Sequence, residues 1–152
     1  MLSERTLRVA AGILALAGIT VATYIAIAEG GGGSPKCLAG GHGCETVAKS
    51  HYSHLAGINV AVIGIFGYVL LLAAAIAPGD AGRFAGFLTA LVGFGFSAYL
   101  TYLELFVIDA ICQWCVASAI LMALSLAVAA TRAFAYAGHE LGTPQIQSSH
   151  GR

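Results

Sequence analysis

The chain has few charged residues and no excess of either sign. Asp, Glu, Lys and Arg make up only 9% of its 152 residues, against roughly 25% in soluble globular proteins. Hydrophobic residues make up 59%, and the mean hydropathy is +0.86. This composition excludes an ordinary soluble domain and indicates a membrane protein. Seven basic residues balance seven acidic ones, so no basic surface exists for nucleic acid, and the predicted partner is the lipid bilayer instead.

Four apolar segments are long enough to cross a membrane, for which a helix needs about 20 residues. We expect spans at 9–28, 55–77, 84–108 and 113–132. This predicts an all-α membrane protein with a bundle of four transmembrane helices. A turn at 78–82 makes the second and third spans antiparallel neighbours, and glycines four residues apart predict close helix packing, at Gly82 and Gly86.

The predicted membrane domain covers residues 1–132. Residues 133–152 contain scattered Gly, Pro and Ser and are expected to form a short, mostly disordered cytoplasmic tail. The first span has a second interpretation, because two arginines precede it and Ala26-Ile27-Ala28 ends it, as in a cleaved signal peptide. We favour a retained helix, since the apolar core of a signal peptide is about 7 to 15 residues long.

Basic residues predict the orientation of the helices, because Lys and Arg favour the cytoplasmic side. Lys36 and Lys49 fall on one side of a four-span arrangement. The other side carries a larger set, namely Arg5, Arg8, Arg83, Arg132 and Arg152. Both termini are therefore expected in the cytoplasm. The 29–54 loop and the 109–112 turn then share the outer face, so all four cysteines lie on an oxidising side.

The sequence Cys112-Gln113-Trp114-Cys115 stands at the start of the fourth span. Two cysteines at this spacing in the first turn of a helix lie close enough to form a disulfide. The positive end of the helix dipole also lowers the pKa of a thiol there. Cys115 is expected slightly deeper in the membrane, where it can meet a lipid-soluble reactant. The motif indicates thiol redox chemistry.

Cys37 and Cys44 lie in a glycine-rich loop. A mobile backbone suits a cysteine that exchanges disulfides with two partners in turn, so two pairs on one face indicate an electron relay. A plain stabilising disulfide is a second interpretation. A third interpretation is a non-catalytic protein with a metal-binding loop. Its ligands would be the two cysteines with His42, His51 and His54. The spacing of these residues matches no compact zinc motif.

Two blocks of sequence closely resemble the bacterial vitamin K epoxide reductase (VKOR) family. One block reads Cys37-x6-Cys44-Glu45-x-Val47-x-x-Ser50-x-Tyr52, followed by Gly57-Ile58-Asn59-Val60-Ala61. The other reads Ser97-x-Tyr99-x-x-Tyr102, followed by Cys112-x-x-Cys115-Val116-x-Ser118. The resemblance covers about residues 7–132.

The resemblance implies a four-helix bundle around a quinone of the menaquinone or ubiquinone type, in the bacterial inner membrane. Such a protein oxidises a thioredoxin-fold thiol protein outside the cytoplasm and supports protein disulfide formation. By position, Cys37 would take electrons from this partner, Cys44 would exchange with Cys112, and Cys115 would face the quinone. Some members carry a fused thioredoxin-like domain. This chain is expected to lack one, so that its partner would be a separate protein.

Three positions bear on the quinone site and the substrate. Ser50 matches the family serine that helps to close the site, although a helix cap or a hydroxyl bonded to backbone would also explain it. Asn59 stands where many bacterial members have proline; it is a candidate donor to a quinone oxygen or an amide at a helix interface. Ala119 stands where animal epoxide reductases have tyrosine, so epoxide reduction is not expected.

Glu104 lies within the third span, where a carboxylate is costly enough to be a functional candidate. Helical spacing places it on the face of Cys112 and about 12 Å deeper. We interpret it as a proton relay to the reduced quinone or as a protonated carboxyl group bonded between helices. Phe66 and Tyr99 are candidates to line the quinone pocket together with Cys115, or to fill the bundle. No metal is expected in this chemistry.

Overall fold

The computed structural model describes residues 3–38 and 40–141, with side chains as far as residue 135. The described α-helices are α1 (Glu4–Gly30), α2 (Gly43–Ala48), α3 (Val60–Ile76), α4 (Gly79–Leu103) and α5 (Gln113–Leu141). Shorter elements connect them: a 3-10 turn (His51–Ser53), strands β1 (His54–Leu55) and β2 (Ile58–Asn59), and a π-helical turn (Glu104–Ile108). The protein is mostly helical, as its composition predicts.

Three of the described helical stretches are long and apolar enough to cross a membrane. They are Glu4–Gly30, Gly79–Ile108 and Gln113–Ala135. Helix α3 is equally apolar but has 17 residues, which is about 25 Å of helix against a hydrocarbon core of ~30 Å. A membrane protein is therefore confirmed, while the fourth span stays a prediction.

The start of α3 differs from the predicted span. Helix α3 begins at Val60, whereas the hydropathy predicts a span from residue 55. Residues 54–59 form an antiparallel hairpin instead. Its two turn residues, Ala56 and Gly57, have φ angles of 52° and 82°. Positive φ at both central residues is the requirement of a type I′ turn, so the chain reverses before the helix starts.

Helix α5 continues to Leu141, beyond the predicted end of the fourth span at residue 132. The prediction of a disordered tail is therefore wrong for residues 133–141. Alanines recur after Arg132, and alanine has the highest helix propensity, so the helix does not stop at the end of the apolar run. The remainder of the tail, 142–152, lies outside the described residues.

The four long helices form a bundle in which α1 and α4 each pack against both α3 and α5. Small residues of α1 face the centre, where Ala15 and Ala22 belong to the core around Tyr68 of α3. The Tyr68 ring lies directly against Gly18, and its hydroxyl donates a hydrogen bond to the Ser118 carbonyl at 2.8 Å. Small residues allow this close approach of helices in lipid.

Gly82 and Gly86 lie where α4 meets the end of α3. A Cβ atom added at Gly82 would stand 2.6 Å from the carbonyl oxygen of Ala77, and one at Gly86 would stand 3.3 Å from the Cβ of Ala74. The two glycines therefore let the helices approach closely. The prediction that these two helices are neighbours is confirmed.

Ion pairs join the helices at the end of the bundle away from the cysteines. Glu4 lies 3.3 Å from Arg132 and 3.5 Å from Arg83. Arg8 donates hydrogen bonds of 3.0 Å and 2.6 Å to two carbonyls in the last turn of α3, which have no partner within the helix. Three of the arginines that predict the orientation thus collect at one end of the bundle.

Replacing Gly18 with Ala should destabilise the bundle. The added Cβ atom would lie 2.2 Å from the Tyr68 ring, which is 0% exposed and cannot turn away without losing its bond to Ser118. Overpacking of this kind typically costs ~1–3 kcal/mol. We expect a lower thermal unfolding midpoint by circular dichroism in detergent. Gly12→Ala is the control, because nothing lies within 4 Å of its added Cβ. Equal midpoints for the two variants would contradict the packing.

Candidate active site

The loop between α1 and α3 carries the first cysteine pair. Cys37 and Cys44 form a disulfide with Cα atoms 5.8 Å apart. Cys44 lies in the first turn of α2 and is buried, and its backbone N–H donates to the Cys37 sulfur at 3.3 Å. Cys37 is only half-buried. An approaching thiol therefore reaches the sulfur of Cys37 more easily than that of Cys44.

A glycine brings this loop against the second pair. Gly43 begins α2, and a Cβ atom built on it would lie 2.2 Å from the carbonyl oxygen of Ile111. Any other residue would push the two backbones apart. Cys44 and Cys112 follow directly in the two segments, and each is 1% exposed. The contact packs the buried half of the loop disulfide over the residues that lead into α5.

Cys112 and Cys115 are free thiols at the start of α5. The carbonyl of Cys112 accepts the N–H of Val116 at 3.0 Å, so Cys112 stands at the N-terminal boundary of the helix. A hydrogen bond from the Cys115 thiol lowers the pKa of Cys112, because it stabilises the thiolate. Burial and the nearby Glu104 carboxylate act in the opposite direction but do not outweigh it. Cys112 directly precedes the first residue of α5. Its thiol is therefore deprotonated more readily than that of an ordinary cysteine.

Glu104 lies beside the thiols. Its carboxylate accepts the backbone N–H of Cys112 at 3.0 Å. The expected separation of about 12 Å along a continuous helix is therefore wrong. The reason is a chain reversal: residues 104–108 form a π-helical turn, and Asp109 adopts a left-handed conformation with φ of 57°. Single π-helical turns of this kind are often found at functional sites.

An apolar cavity of about 640 Å³ lies among the four long helices. Five of the six residues proposed from the sequence for the quinone site line it, namely Cys115, Ser50, Asn59, Glu104 and Phe66. Tyr99 is not among the described residues that line this cavity. It lines a smaller one of about 280 Å³, together with His51 and His54. Tyr99 is therefore separated from the other candidates for the quinone site.

The cavity opens sideways between two helices. Phe66 and Leu70 of α3 line it and are 65% and 42% exposed. Leu88 and Val92 of α4 line it from the other side and are 43% and 72% exposed. Because these apolar side chains lie on the long helices, they would face the acyl chains of a bilayer. A lipid-soluble molecule therefore has a route into the cavity that avoids water.

Ser50 and Asn59 make local bonds at the rim of the cavity. The Ser50 hydroxyl donates to the Val47 carbonyl at 2.7 Å, which is the backbone-bonded alternative for this serine. Asn59 caps α3, since its side-chain oxygen accepts the N–H of Ala61 at 2.7 Å, and its amide nitrogen donates to the carboxylate of Glu29. The Asn59 amide thus joins α3 to α1, as a helix-interface residue would.

Glu29 and Tyr68 are polar residues of the cavity that the sequence analysis misses. Glu29 lines the cavity and stands in the last turn of α1. It is a carboxylate at the end of an apolar run, so the rule that identifies Glu104 could have found it as well. Tyr68 also lines the cavity, but its sequence neighbourhood is uniformly apolar, and no sequence signal separates it from a packing residue.

The described residues contain no set of ligands that would support the metal-binding interpretation. Within residues 3–38 and 40–141, no group of three or more His, Cys, Asp or Glu side chains is arranged to hold a metal ion. The two loop cysteines are joined to each other. His54 contacts the hydroxyl of Ser53 at 2.9 Å, and His42 contacts Glu45 at 3.6 Å.

Comparison with known proteins agrees with this geometry. A search of the curated proteins finds no match. The family model described as the vitamin K epoxide reductase family matches residues 9–130, which include both cysteine pairs and the residues that line the cavity. Members of that family are membrane thiol oxidoreductases linked to quinones. The chain therefore belongs to the vitamin K epoxide reductase family.

Proposed function

We propose that this protein is a quinone-dependent protein-disulfide oxidoreductase that oxidises a separate thioredoxin-fold thiol protein. The observation that carries the proposal is the position of Cys115. Its side chain lines the apolar cavity, while Cys112, its neighbour in the motif, directly follows the residue that packs against Gly43 of the loop. One thiol pair thus connects a lipid-accessible cavity with a disulfide near the protein surface. The nature of the protein partner is inferred from the family.

The cavity suits a quinone in size and in chemistry. Small-molecule sites typically measure ~300–1,000 Å³ and are mostly apolar with a few polar groups, and this cavity measures about 640 Å³. Its polar lining residues include Glu29, Ser50, Asn59 and Glu104. When bound, a quinone of the menaquinone or ubiquinone type supplies an acceptor for two electrons and two protons. Phe66 and its neighbours at the lateral opening would contact its apolar tail.

The relay begins at the exposed sulfur of the loop. A thiolate of the partner attacks Cys37, and the bond to Cys44 breaks. The second partner thiol then closes the partner's own disulfide and releases Cys37. Two electrons and two protons have now moved from the partner to Cys37 and Cys44. Attack at the sulfur of Cys37 is favoured, because Cys37 is only half-buried whereas Cys44 is fully buried.

The second exchange carries the electrons inward. Cys44 attacks Cys112 of an oxidised Cys112–Cys115 pair and releases Cys115. Cys37 then attacks Cys44, which restores the loop disulfide and releases Cys112. The result is a loop disulfide with two free thiols at α5, which is the state of the described structure. With a quinone bound in the cavity, these thiols would give it two electrons and two protons as their disulfide forms again.

Proton transfer in the last step is assigned to Glu104. Its carboxylate accepts the N–H of Cys112 and lines the same cavity as Cys115. A carboxylate in this position can take the thiol proton as the disulfide forms and pass it into the cavity. Epoxide reduction is not proposed, because Ala119 offers no hydroxyl group.

The proposed topology has four spans, both termini in the cytoplasm and all four cysteines on the outer face of a bacterial inner membrane. The collection of Arg8, Arg83 and Arg132 at the end of the bundle away from the cysteines supports this orientation. The short α3 would be extended across the bilayer by the hairpin residues before Val60 or by local thinning of the lipid.

Cys115→Ala should abolish quinone reduction with every thiol donor, because no disulfide can then form beside the cavity. Cys37→Ala should block a reduced thioredoxin-fold donor but leave activity with dithiothreitol, which can reduce the inner pair directly. The measurement is quinone absorbance with purified protein in detergent, corrected for the uncatalysed reaction. An inactive wild type, or variants that match it, would overturn the proposal.

Gly43→Ala should slow the exchange between the two pairs. The added Cβ atom would meet the Ile111 carbonyl at 2.2 Å and push α2 away from the segment before α5. We expect quinone reduction with the protein donor to fall at least about tenfold, since misplacement by about 1 Å can cost 10²-fold. Activity with dithiothreitol should change little. Gly30→Ala is the control, as nothing lies within 4 Å of its added Cβ. Equal rates for both variants would argue against exchange through this contact.

Glu104→Gln should lower quinone reduction by about 10²-fold, the usual contribution of a positioned acid or base. The side chain keeps an oxygen that can accept the Cys112 N–H, so the fold is preserved while the ionisable group is lost. The pH profile of the rate should lose one titration step. Glu45→Gln removes an exposed carboxylate on α2 and is the control. A Glu104→Gln enzyme with the wild-type rate and pH profile would exclude the proton relay.

A further inference from the structure

The two central residues of the Cys112-Gln113-Trp114-Cys115 motif hold the backbone on both sides of Cys37. The N–H of Leu38 donates to Oε1 of Gln113 at 3.1 Å. The indole N–H of Trp114 donates to the carbonyl of Lys36 at 2.9 Å. Residues 36–38, here called the Cys37 segment, belong to no helix or strand. Their position therefore depends on contacts with side chains.

An aromatic pair completes this attachment. The rings of Tyr24 and Trp114 lie 4.7 Å apart between centroids. The hydroxyl of Tyr24 accepts the N–H of Lys36 at 3.3 Å. Both backbone groups of Lys36 are thus bonded, one to α1 and the other to α5. Trp114 thus connects the loop to the helix that carries the second thiol pair.

The chain that follows the Cys37 segment is loosely held. Gly40 and Gly41 have φ angles of 68° and 151°. Glycine has the largest conformational freedom of any residue, so this flank does little to fix the position of the segment. Cys44 differs, because the contact of Gly43 with Ile111 packs it in place. When the loop disulfide opens, Cys37 is the sulfur that is free to leave.

We propose that Gln113 and Trp114 are positioning residues for Cys37, which keep its thiol beside Cys44 while the loop disulfide is open. Holding one thiol near the other raises its effective concentration and so favours the disulfide over the dithiol. This inference rests on the proposed function for its place in the relay. There it would speed the return of Cys37 to Cys44, the step that releases Cys112.

The equilibrium of the loop pair tests the proposal without quinone or protein partner. The full chain with Cys112→Ala and Cys115→Ala leaves the loop pair to exchange alone in buffers of reduced and oxidised dithiothreitol. Each loop disulfide takes two electrons and two protons from one reduced dithiothreitol, which closes to its own disulfide. Alkylation of free thiols and mass spectrometry give the equilibrium constant. In this parent chain, Gln113→Met and Trp114→Phe should each shift it toward the dithiol by about two- to tenfold, the effect of one hydrogen bond.

Matched variants separate positioning from general stability. Gln113→Glu keeps an acceptor for Leu38 and should stay within about twofold of the parent. Ser125→Ala removes a 2.8 Å hydrogen bond in the middle of α5 and should leave the equilibrium unchanged. An unchanged constant in both Gln113→Met and Trp114→Phe, or an equal shift in Ser125→Ala, would overturn the proposal. If quinone reduction fails in the wild type while these shifts occur, the proposed function falls and the positioning role stands.

Fluorescence gives a second and independent measurement, because Trp114 is the only tryptophan of the chain. Opening the loop disulfide in the parent should leave its emission maximum nearly unchanged, since the Cys37 segment stays attached. In the Gln113→Met chain, the same reduction should shift the emission to longer wavelength as the segment leaves and water reaches the indole. An equally large shift in the parent would show that the segment is not held, and the proposal would be wrong.

Discussion

The hydrogen bond from the Cys112 backbone to the Glu104 carboxylate joins the end of one helix to the start of the next across a sharp reversal of the chain. A helix N-terminus has unpaired N–H groups, and a carboxylate there is favourable. Glu104 is only 4% exposed, so an unpaired charge would be costly at this depth. Its hydrogen bond from the Cys112 N–H offsets part of that cost. The position of both thiols and the polar end of the cavity therefore depend on one buried side chain.

The four cysteines occupy a graded series of environments. Cys37 is half-buried in the loop, Cys44 and Cys112 are enclosed, and Cys115 lines the apolar cavity. Thiol exchange needs sulfur atoms in contact, whereas a water-soluble protein and a lipid-soluble quinone cannot reach the same place. In the proposed relay, the enclosed pair separates these two reactants. The Gly43 contact with Ile111 matters for this reason, because it brings the loop against the residue that precedes Cys112.

Much of this arrangement can be predicted from the sequence, because hydropathy and cysteine spacing depend on composition over short stretches. The three long apolar helices, the redox motif at the start of α5 and the neighbouring positions of Gly82 and Gly86 follow from such local patterns. The place of Glu104 does not. A continuous helix is the simplest expectation for an apolar run, and nothing in the run 104–108 marks a π-helical turn or a left-handed Asp109. The sequence likewise allows two interpretations of Asn59, since only its bonds to Ala61 and Glu29 distinguish a helix cap from a donor to a ligand.

The residues between the cysteines of a Cys-x-x-Cys motif are commonly considered for their effect on thiol chemistry. Here their side chains point to the loop instead, where Gln113 and Trp114 bond to the backbone around Cys37. A glycine-rich loop alone would let a released cysteine move away from its partner. A cysteine in a rigid loop could not exchange disulfides with two partners in turn. Attachment through two side-chain hydrogen bonds lies between these extremes, because each such bond contributes only ~0.5–1.5 kcal/mol. The loop can therefore be held most of the time and still be displaced by an incoming protein.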